Sequence, residues 1–211
     1  VLTTDSSTAE MVKLSENTFR DINIAFANEL SILCEKFSIN VNELIRLTNK
    51  HPRVNILEPG CGVGGHCIAV DPWFIASAEP KLSNLIQSAR RVNLYKTDWV
   101  IEKISDKINI MQTKSDKQIK VGCFGLAFKP NVDDLRESPA LQITNSLISR
   151  GYDVKACEPN INNLNDLNLM NENELIEDSD LLVFLVAHKE FTFIDTKNKE
   201  VINLCGIKLN T

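Results

Sequence analysis

Ile119-Lys120-Val121-Gly122-Cys123-Phe124-Gly125-Leu126-Ala127-Phe128 is the stretch on which the fold turns. It follows a polar segment at residues 113–118, and with it the three-and-four spacing of apolar residues gives way to a short run that is apolar apart from Lys120, which predicts a strand over 119–128. The chain then alternates: a helix over 140–149 stopped by Gly151, a strand over 153–157, a helical turn over 172–176 and a strand over 181–187. Strands separated by helices make a parallel α/β sheet, so a new domain is predicted to begin near residue 115.

Upstream of that point the pattern is helical. Ser7-Thr8-Ala9-Glu10 reads as a capping box, after which Val12, Phe19, Ile22, Phe26, Leu30, Leu33 and Phe37 recur at helical spacing and predict one long amphipathic helix. A shorter helix is predicted from Asn40, carrying Leu44, Ile45 and Leu47, before an irregular stretch at 51–65. Asp71-Pro72 reads as an N-cap followed by proline at the first helical position, and Pro80 closes that helix. From 82 to 110 the positions Leu85, Ile86, Ala89, Val92, Trp99, Val100, Ile104 and Ile108 support a second long helix, on the order of 40 Å at about 1.5 Å per residue. Such a length suits subunit contact. The predicted organisation is a helical domain over 1–114 and an α/β domain over 115–211.

With 211 residues the chain can bury two modest cores, and 43% hydrophobic with 24% charged residues excludes disordered and fibrous classes. The net charge of -5 is dispersed, and basic clusters no longer than Arg90-Arg91 argue against nucleic acid as a partner. No apolar run approaches the roughly 20 residues of a membrane span. The polar start lacks the features of a secretory signal, although a chain opening at Val1 rather than Met leaves its true beginning open. Six cysteines are too sparse for a disulfide scaffold, and Cys34, Cys123 and Cys205 lie among apolar residues, which suits a reducing cytoplasm.

Chemistry concentrates in three places. Lys13, Asn17 and Arg20 are spaced to share one face of the first helix, either a solvated stripe or a grip on an anionic, hydroxyl-rich ligand. In Pro59-Gly60-Cys61-Gly62-Val63-Gly64-Gly65-His66-Cys67, four glycines within six positions let the backbone approach a ligand. Cys67 then precedes the Asp71-Pro72 helix start, whose partial positive charge favours a thiolate nucleophile. A structural glycine turn, or Cys61, His66 and Cys67 as metal ligands, are the alternatives, the latter without a second pair at zinc-like spacing. The segment 128–139, with Lys129 and Arg136, leaves the first strand at its carboxyl end, where open α/β sheets bind ligands; a charge-balanced solvated loop is the alternative. Gly122 and Gly125 alone make no complete dinucleotide fingerprint. His188, past a strand end, reads as structural or surface.

Lys13 to Asn17, Gly62 to Asp71 and Gly125 to Pro139, in that order, resemble the UDP-glucose and GDP-mannose dehydrogenase family. The resemblance implies an amino-terminal NAD-binding Rossmann domain, a helical central domain whose long helix builds a homodimer, and a Rossmann-like carboxyl-terminal domain for the UDP portion of a UDP-sugar. Only the last two are represented, so a fragment inactive by itself is expected, with NAD as the cofactor of the whole. It further implies that Cys67 attacks an aldehyde to form a thiohemiacetal and then a thioester, that Lys13 and Asn17 stabilise the reacting oxygen, and that Asp71 serves the hydrolytic water. Arg20, His51, Arg53 and Gly64 become substrate contacts, Arg53 reaching a partner subunit's site; Phe128 and Lys129 hold the nucleotide end, and Arg136 meets the NAD phosphates. Within the family His51-Pro52-Arg53 points to the branch that oxidises an N-acetylated mannosamine. UDP-glucose, UDP-N-acetylglucosamine and GDP-mannose remain rival substrates, and a non-catalytic nucleotide-binding or dimerisation module the rival class.

Overall fold

The computed structural model describes residues 3–161, 163–164 and 167–210. The chain forms two compact units, Val1–Lys96 and Thr97–Thr211, and the long helix α4 (Asn84–Gln112) contributes to both. The division therefore falls inside α4, whereas the periodicity of the sequence changes at 115. Among the described residues no helix is long and apolar enough to cross a membrane.

The first unit contains α1 (Ser6–Lys36), α2 (Val41–Thr48), α3 (Asp71–Ala78) and the start of α4. The N-cap of α1 is Asp5 and not the capping box read at Ser7: the Thr8 N–H donates to Asp5 Oδ1 at 2.9 Å and the Thr8 hydroxyl to Oδ2 at 2.7 Å. A carboxylate accepts at both oxygens and meets the positive helix end, so it displaces the serine.

The apolar row of α1 faces outward. Val12, Phe19, Phe26 and Leu33 are 44–68% exposed, while the buried positions are Asn17, Thr18, Asp21, Ala25, Ala27, Asn28 and Cys34. Periodicity reveals that a helix has two faces but not which of them is covered. Here polar pairing decides. Arg90 Nη1 on α4 donates to Asp21 Oδ1 at 2.6 Å, and Asn93 Nδ2 donates to the same oxygen at 2.8 Å. Asn28 Nδ2 donates to Asn93 Oδ1 at 2.9 Å, and Lys96 Nζ to the Ser31 hydroxyl at 2.8 Å. Burial pushes the Asp21 carboxyl up, against the opposing pull of Arg90 and Asn93.

In the second unit α4 becomes apolar on its inner side, burying Val100, Ile101, Ile104 and Ile108. The sheet has the order β2-β1-β3-β4 and is wholly parallel, built from β1 (Lys120–Phe124), β2 (Asp153–Cys157), β3 (Leu181–Phe184) and β4 (Glu200–Asn203). Helices α5 (Pro139–Ser149) and α6 (Glu172–Asp178) start on Ser138 and Asn171, whose side chains accept the N–H groups of Leu141 and Glu174. Phe124 stacks on Phe184 at 4.5 Å between centroids, and Phe191 meets Phe124 edge-on at 5.4 Å.

The strand predicted over 119–128 ends at Phe124: the Gly125 N–H still donates to the Cys157 carbonyl of β2 at 2.9 Å, but the two N–H groups after it leave the ladder for a side chain. Leu126 and Ala127 donate to Glu158 Oε2 at 2.7 and 3.0 Å. The strand predicted over 181–187 also stops early, at Phe184: the Leu185 N–H still makes the ladder bond to the Phe124 carbonyl, but the Val186 N–H doubles back to that same carbonyl at 3.3 Å instead of moving on along the sheet. Sequence periodicity overlooks β4, an edge strand that buries only Ile202 and so lacks a two-residue apolar rhythm.

Glu158 and His188 both have fully buried side chains, with His188 Nε2 3.1 Å from Glu158 Oε2. Burial alone would push the Glu158 carboxyl up, but hydrogen bonds from His188, Leu126 and Asn160 pull it down from 4.5 to about 2. A carboxyl lowered in the fold stabilises it when ionised, fully above about pH 4.5, and this contribution is lost as pH falls towards 2. We expect about 2 kcal/mol of Glu158-dependent unfolding free energy to disappear between about pH 5 and about pH 3, read by urea denaturation. Glu158→Gln should flatten that part of the profile; parallel losses in both proteins would contradict the assignment.

Candidate active site and nucleotide loop

Lys13, Asn17 and Arg20 lie on successive turns of α1, but their surroundings differ. Asn17 is 5% exposed, and its Nδ2 donates to Asp71 Oδ2 at 2.5 Å. Lys13 and Arg20 are exposed, with Lys13 Nζ 3.7 Å from Glu16, a surface pair that contributes little and leaves the amine able to turn to a ligand. The stripe therefore joins one buried amide to two exposed cations.

The sequence predicts Asp71 as an N-cap; it is instead the first residue of α3, with Val70 in the cap position and without a side-chain cap bond. The reason lies in the backbone: the N–H groups of Val70 and Asp71 donate to the Cys67 carbonyl at 3.0 and 2.8 Å, so the helical turn begins one step earlier. That leaves the Asp71 carboxylate to accept from Asn17. Cys67 thus sits in the turn that opens α3, its peptide bonded to Asp71 and Asp71 bonded to Asn17.

The glycines before it serve the same geometry. Gly62 and Gly65 have φ of 142° and 84°, which side-chain-bearing residues rarely adopt, and Gly64 is buried. The loop is fastened to α1, because the Gly60 N–H donates to Asn28 Oδ1 at 2.9 Å. Cys67 is half-buried, as is Cys205, while the other four cysteines are buried. Burial pushes the Cys123 and Cys157 thiols up to about 12 and the Cys205 thiol up to about 11, so those three are poor nucleophiles. Among the described residues no group of three His, Cys, Asp or Glu is placed to hold a metal ion.

His51 and Arg53 occupy an exposed turn after α2, where the Arg53 N–H donates to His51 Nδ1 at 3.2 Å. Asn49 braces this turn by accepting the Ile56 N–H at 2.7 Å and donating to the Ile56 carbonyl at 2.9 Å. Both His51 and Arg53 remain presented to solvent.

In the second unit the segment after β1 carries half-buried Phe128 and exposed Lys129, with Lys129 Nζ 5.4 Å from the Phe128 ring centroid. The Phe128 N–H donates to the Asp134 carbonyl at 3.0 Å. Arg136 is exposed and grips the Asp134 carboxylate, through Nη2 at 2.6 Å and Nε at 3.0 Å, which fixes the plane of its guanidinium. Ser138 ties the far end of the segment to the turn after β1 by donating to the Leu126 carbonyl at 2.6 Å.

An NAD pyrophosphate needs free N–H groups in the turn after the first strand. Here the Leu126 and Ala127 N–H groups both point at Glu158, so a buried carboxylate stands where a phosphate cradle would be. The described residues do not fit NAD at this turn.

Sequence reasoning missed Asp21, Asn28, Arg90 and Asn93, although Asn17, Asp21 and Asn28 lie along one side of a helix and Arg90 and Asn93 are one turn apart. It also missed Glu158, which lies just beyond the carboxyl end of β2 and carries no local signal.

Two sequence models of one family match the chain: the UDP-glucose/GDP-mannose dehydrogenase family central domain over residues 7–95, and that family's UDP binding domain over residues 122–204. The chain is 51% identical to UDP-N-acetyl-D-mannosamine dehydrogenase of Campylobacter jejuni, covering 96% of this chain and 50% of that protein. It is 47% identical to NDP-N-acetyl-D-galactosaminuronic acid dehydrogenase of Ralstonia solanacearum, covering 98% and 49%. The solved UDP-D-ManNAc dehydrogenase of Pyrococcus horikoshii superposes with a TM-score of 0.85 at 33% identity, covering 96% and 49%. The chain spans about half the length of these relatives. With two models of a single family together matching most of its length, the chain belongs to the UDP-glucose/GDP-mannose dehydrogenase family.

Proposed function

We propose that this chain is the sugar-oxidising and nucleotide-holding portion of a cytoplasmic, NAD-dependent enzyme that converts UDP-N-acetyl-D-mannosamine to UDP-N-acetyl-D-mannosaminuronate, with a helical region over 1–114 and a Rossmann-like region over 115–211. The observation that carries the reading is the bonded series of Cys67 peptide, Asp71 and Asn17 beside a glycine loop. The names of the relatives add the sugar, and six free thiols suit a reducing compartment.

NAD, when bound, would supply the hydride acceptor for the oxidations; of this chain's residues Arg136 would meet its phosphates, and the turn after β1 would not cradle it. This chain's own side chains handle the sugar. The Cys67 thiolate bonds to the carbon of the sugar aldehyde, and the thiohemiacetal oxygen is stabilised by the Lys13 ammonium and the Asn17 amide. At the thioester stage Asp71 accepts a proton from the attacking water, the carbon–sulfur bond breaks, and Cys67 leaves as the thiolate. Arg20, His51, Arg53 and Gly64 contact the sugar, Arg53 from across a subunit boundary. Phe128 and Lys129 hold the nucleotide end, the ring by stacking and the ammonium by charge. Arg136, oriented by Asp134, meets the cofactor phosphates. The Ralstonia relative favours a second reading in which the substrate is another nucleotide-linked acetamido sugar.

In the enzyme that joins this chain to an NAD-binding domain, Cys67→Ser should lower uronate formation at least about a thousandfold and leave UDP-sugar affinity within a few-fold. Unaltered turnover would refute the nucleophile. Assayed across sugars, preference for GDP-mannose would refute the substrate.

The homodimer reading, which the sequence ties to the long helix over 82–110, gains a second support from the outward row of Val12, Phe19, Phe26 and Leu33 on α1, which recurs every seven residues as a helix-packing seam does. A second copy of the same chain offers the same row, and two-fold pairing lets one self-complementary surface serve both partners. The chain should sediment at twice its mass of 23.7 kDa, and Phe19→Lys with Phe26→Lys should reduce it to the monomer. Monomeric sedimentation of the unsubstituted chain would contradict this.

A further inference from the structure

Glu158 and His188 have no role in the chemistry proposed above, yet between them they tie down both ends of residues 126–131. At the near end, Glu158 Oε2 accepts the Leu126 and Ala127 N–H groups. At the far end, the Asn131 N–H points at His188 Nδ1 at 3.0 Å, and the Asn160 amide nitrogen lies 3.0 Å from the same atom. Phe128 and Lys129 lie between these anchor points.

The chemistry of the bonds fixes the imidazole. A backbone N–H only donates, so Nδ1 must accept and carry no proton. The ring proton is then on Nε2, where it donates to Glu158 Oε2 at 3.1 Å. Glu158 is held in turn by the Asn160 N–H, which donates to Oε1 at 3.1 Å. The ring also meets Phe191 edge-on, with centroids 5.5 Å apart, so the core fixes its position. Asn131 needs such an anchor. Its backbone has a φ of 59°, a left-handed conformation that costs a non-glycine residue free energy, and its side chain adds a second bond by accepting the Lys189 N–H at 2.9 Å.

We propose that His188, oriented by Glu158, is a positioning residue for nucleotide binding: through Asn131 it holds the Phe128–Lys129 segment in the shape that receives a uridine diphosphate. The proposal rests on the reading that Phe128 and Lys129 hold the nucleotide end. Holding a binding segment in its bound shape removes the ordering cost from the binding step, so the tether acts on affinity as well as on stability.

Two substitutions separate this role from simple core filling. In His188→Asn the side-chain oxygen lies near the position of Nδ1 and can accept the Asn131 N–H, but cannot reach Glu158. In His188→Gln the amide reaches Glu158, and the Asn131 N–H loses its acceptor. UDP is titrated calorimetrically into the unmodified chain and both variants, with thermal melts on the same samples. The Gln variant should bind UDP about tenfold more weakly, the worth of roughly one net hydrogen bond, and the Asn variant within about threefold of the parent. Equal affinity in all three, or losses that follow the melting temperatures without regard to which bond is kept, would overturn the positioning role. Absence of UDP binding by the unmodified chain would instead overturn the nucleotide reading, and the positioning role with it.

Discussion

Between α1 and α4 a guanidinium and a carboxylate meet at 2.6 Å with their side chains 3% and 0% exposed. Removing one partner of such a buried pair costs about 3–5 kcal/mol, because the other charge is left unpaired away from water. The first unit is organised around avoiding that cost. Asn93 accompanies Arg90 onto Asp21, Asn28 joins Asn93, and the small residues Ala25 and Ala27 complete the buried side of α1. Once that side faces inward, the bulky row of Val12, Phe19, Phe26 and Leu33 must face outward. An unusual interior and an apolar exterior are thus one fact.

The same polar side reaches the candidate site. Asn28 accepts from Gly60 at the head of the glycine loop, and Asn17, further along the helix, donates to Asp71 at its tail. Cys67 lies on the chain between these two attachments. A reactive thiol requires a defined position, and here α1 holds the chain on both sides of Cys67, by the Gly60 backbone before it and the Asp71 side chain after it. The second unit uses another means to fix a segment: a carboxylate and an imidazole beyond the strand ends hold residues 126–131 at both ends, with half-buried Phe128 and exposed Lys129 between them. Placing Glu158 against the turn after β1 also consumes the N–H groups that a dinucleotide would need, so the parallel sheet is shared with cofactor-binding folds but the turn is not.

Much of this could be read from the residues. The long helices, the parallel α/β alternation and the strand at 153–157 followed from periodicity, since burial on one side or both leaves a rhythm in the sequence. The Cys67 loop stood out because glycine density and an adjacent thiol are local features. What escaped depended on partners distant in sequence. The inward turn of the polar side of α1 is set by Arg90, 69 residues from Asp21, and the early end of β1 by Glu158, 32 residues from Leu126. The N-cap expected at Asp71 fails for a related reason: a carboxylate before proline suits a cap, and only the Cys67 carbonyl, by starting the turn earlier, leaves that carboxylate to accept from Asn17.

The central claim is that Cys67 is the reactive thiol of this chain. It is tested most directly by iodoacetamide labelling of the native protein near neutral pH, with the modified peptides quantified by mass spectrometry over time. Cys205 is the fair control, since it is half-buried like Cys67 but its thiol is pushed up to about 11. Cys67 should be carboxamidomethylated first and well ahead of Cys205, with Cys34 slower still; labelling of Cys67 at or below the rate of Cys205 would contradict its role as the nucleophile.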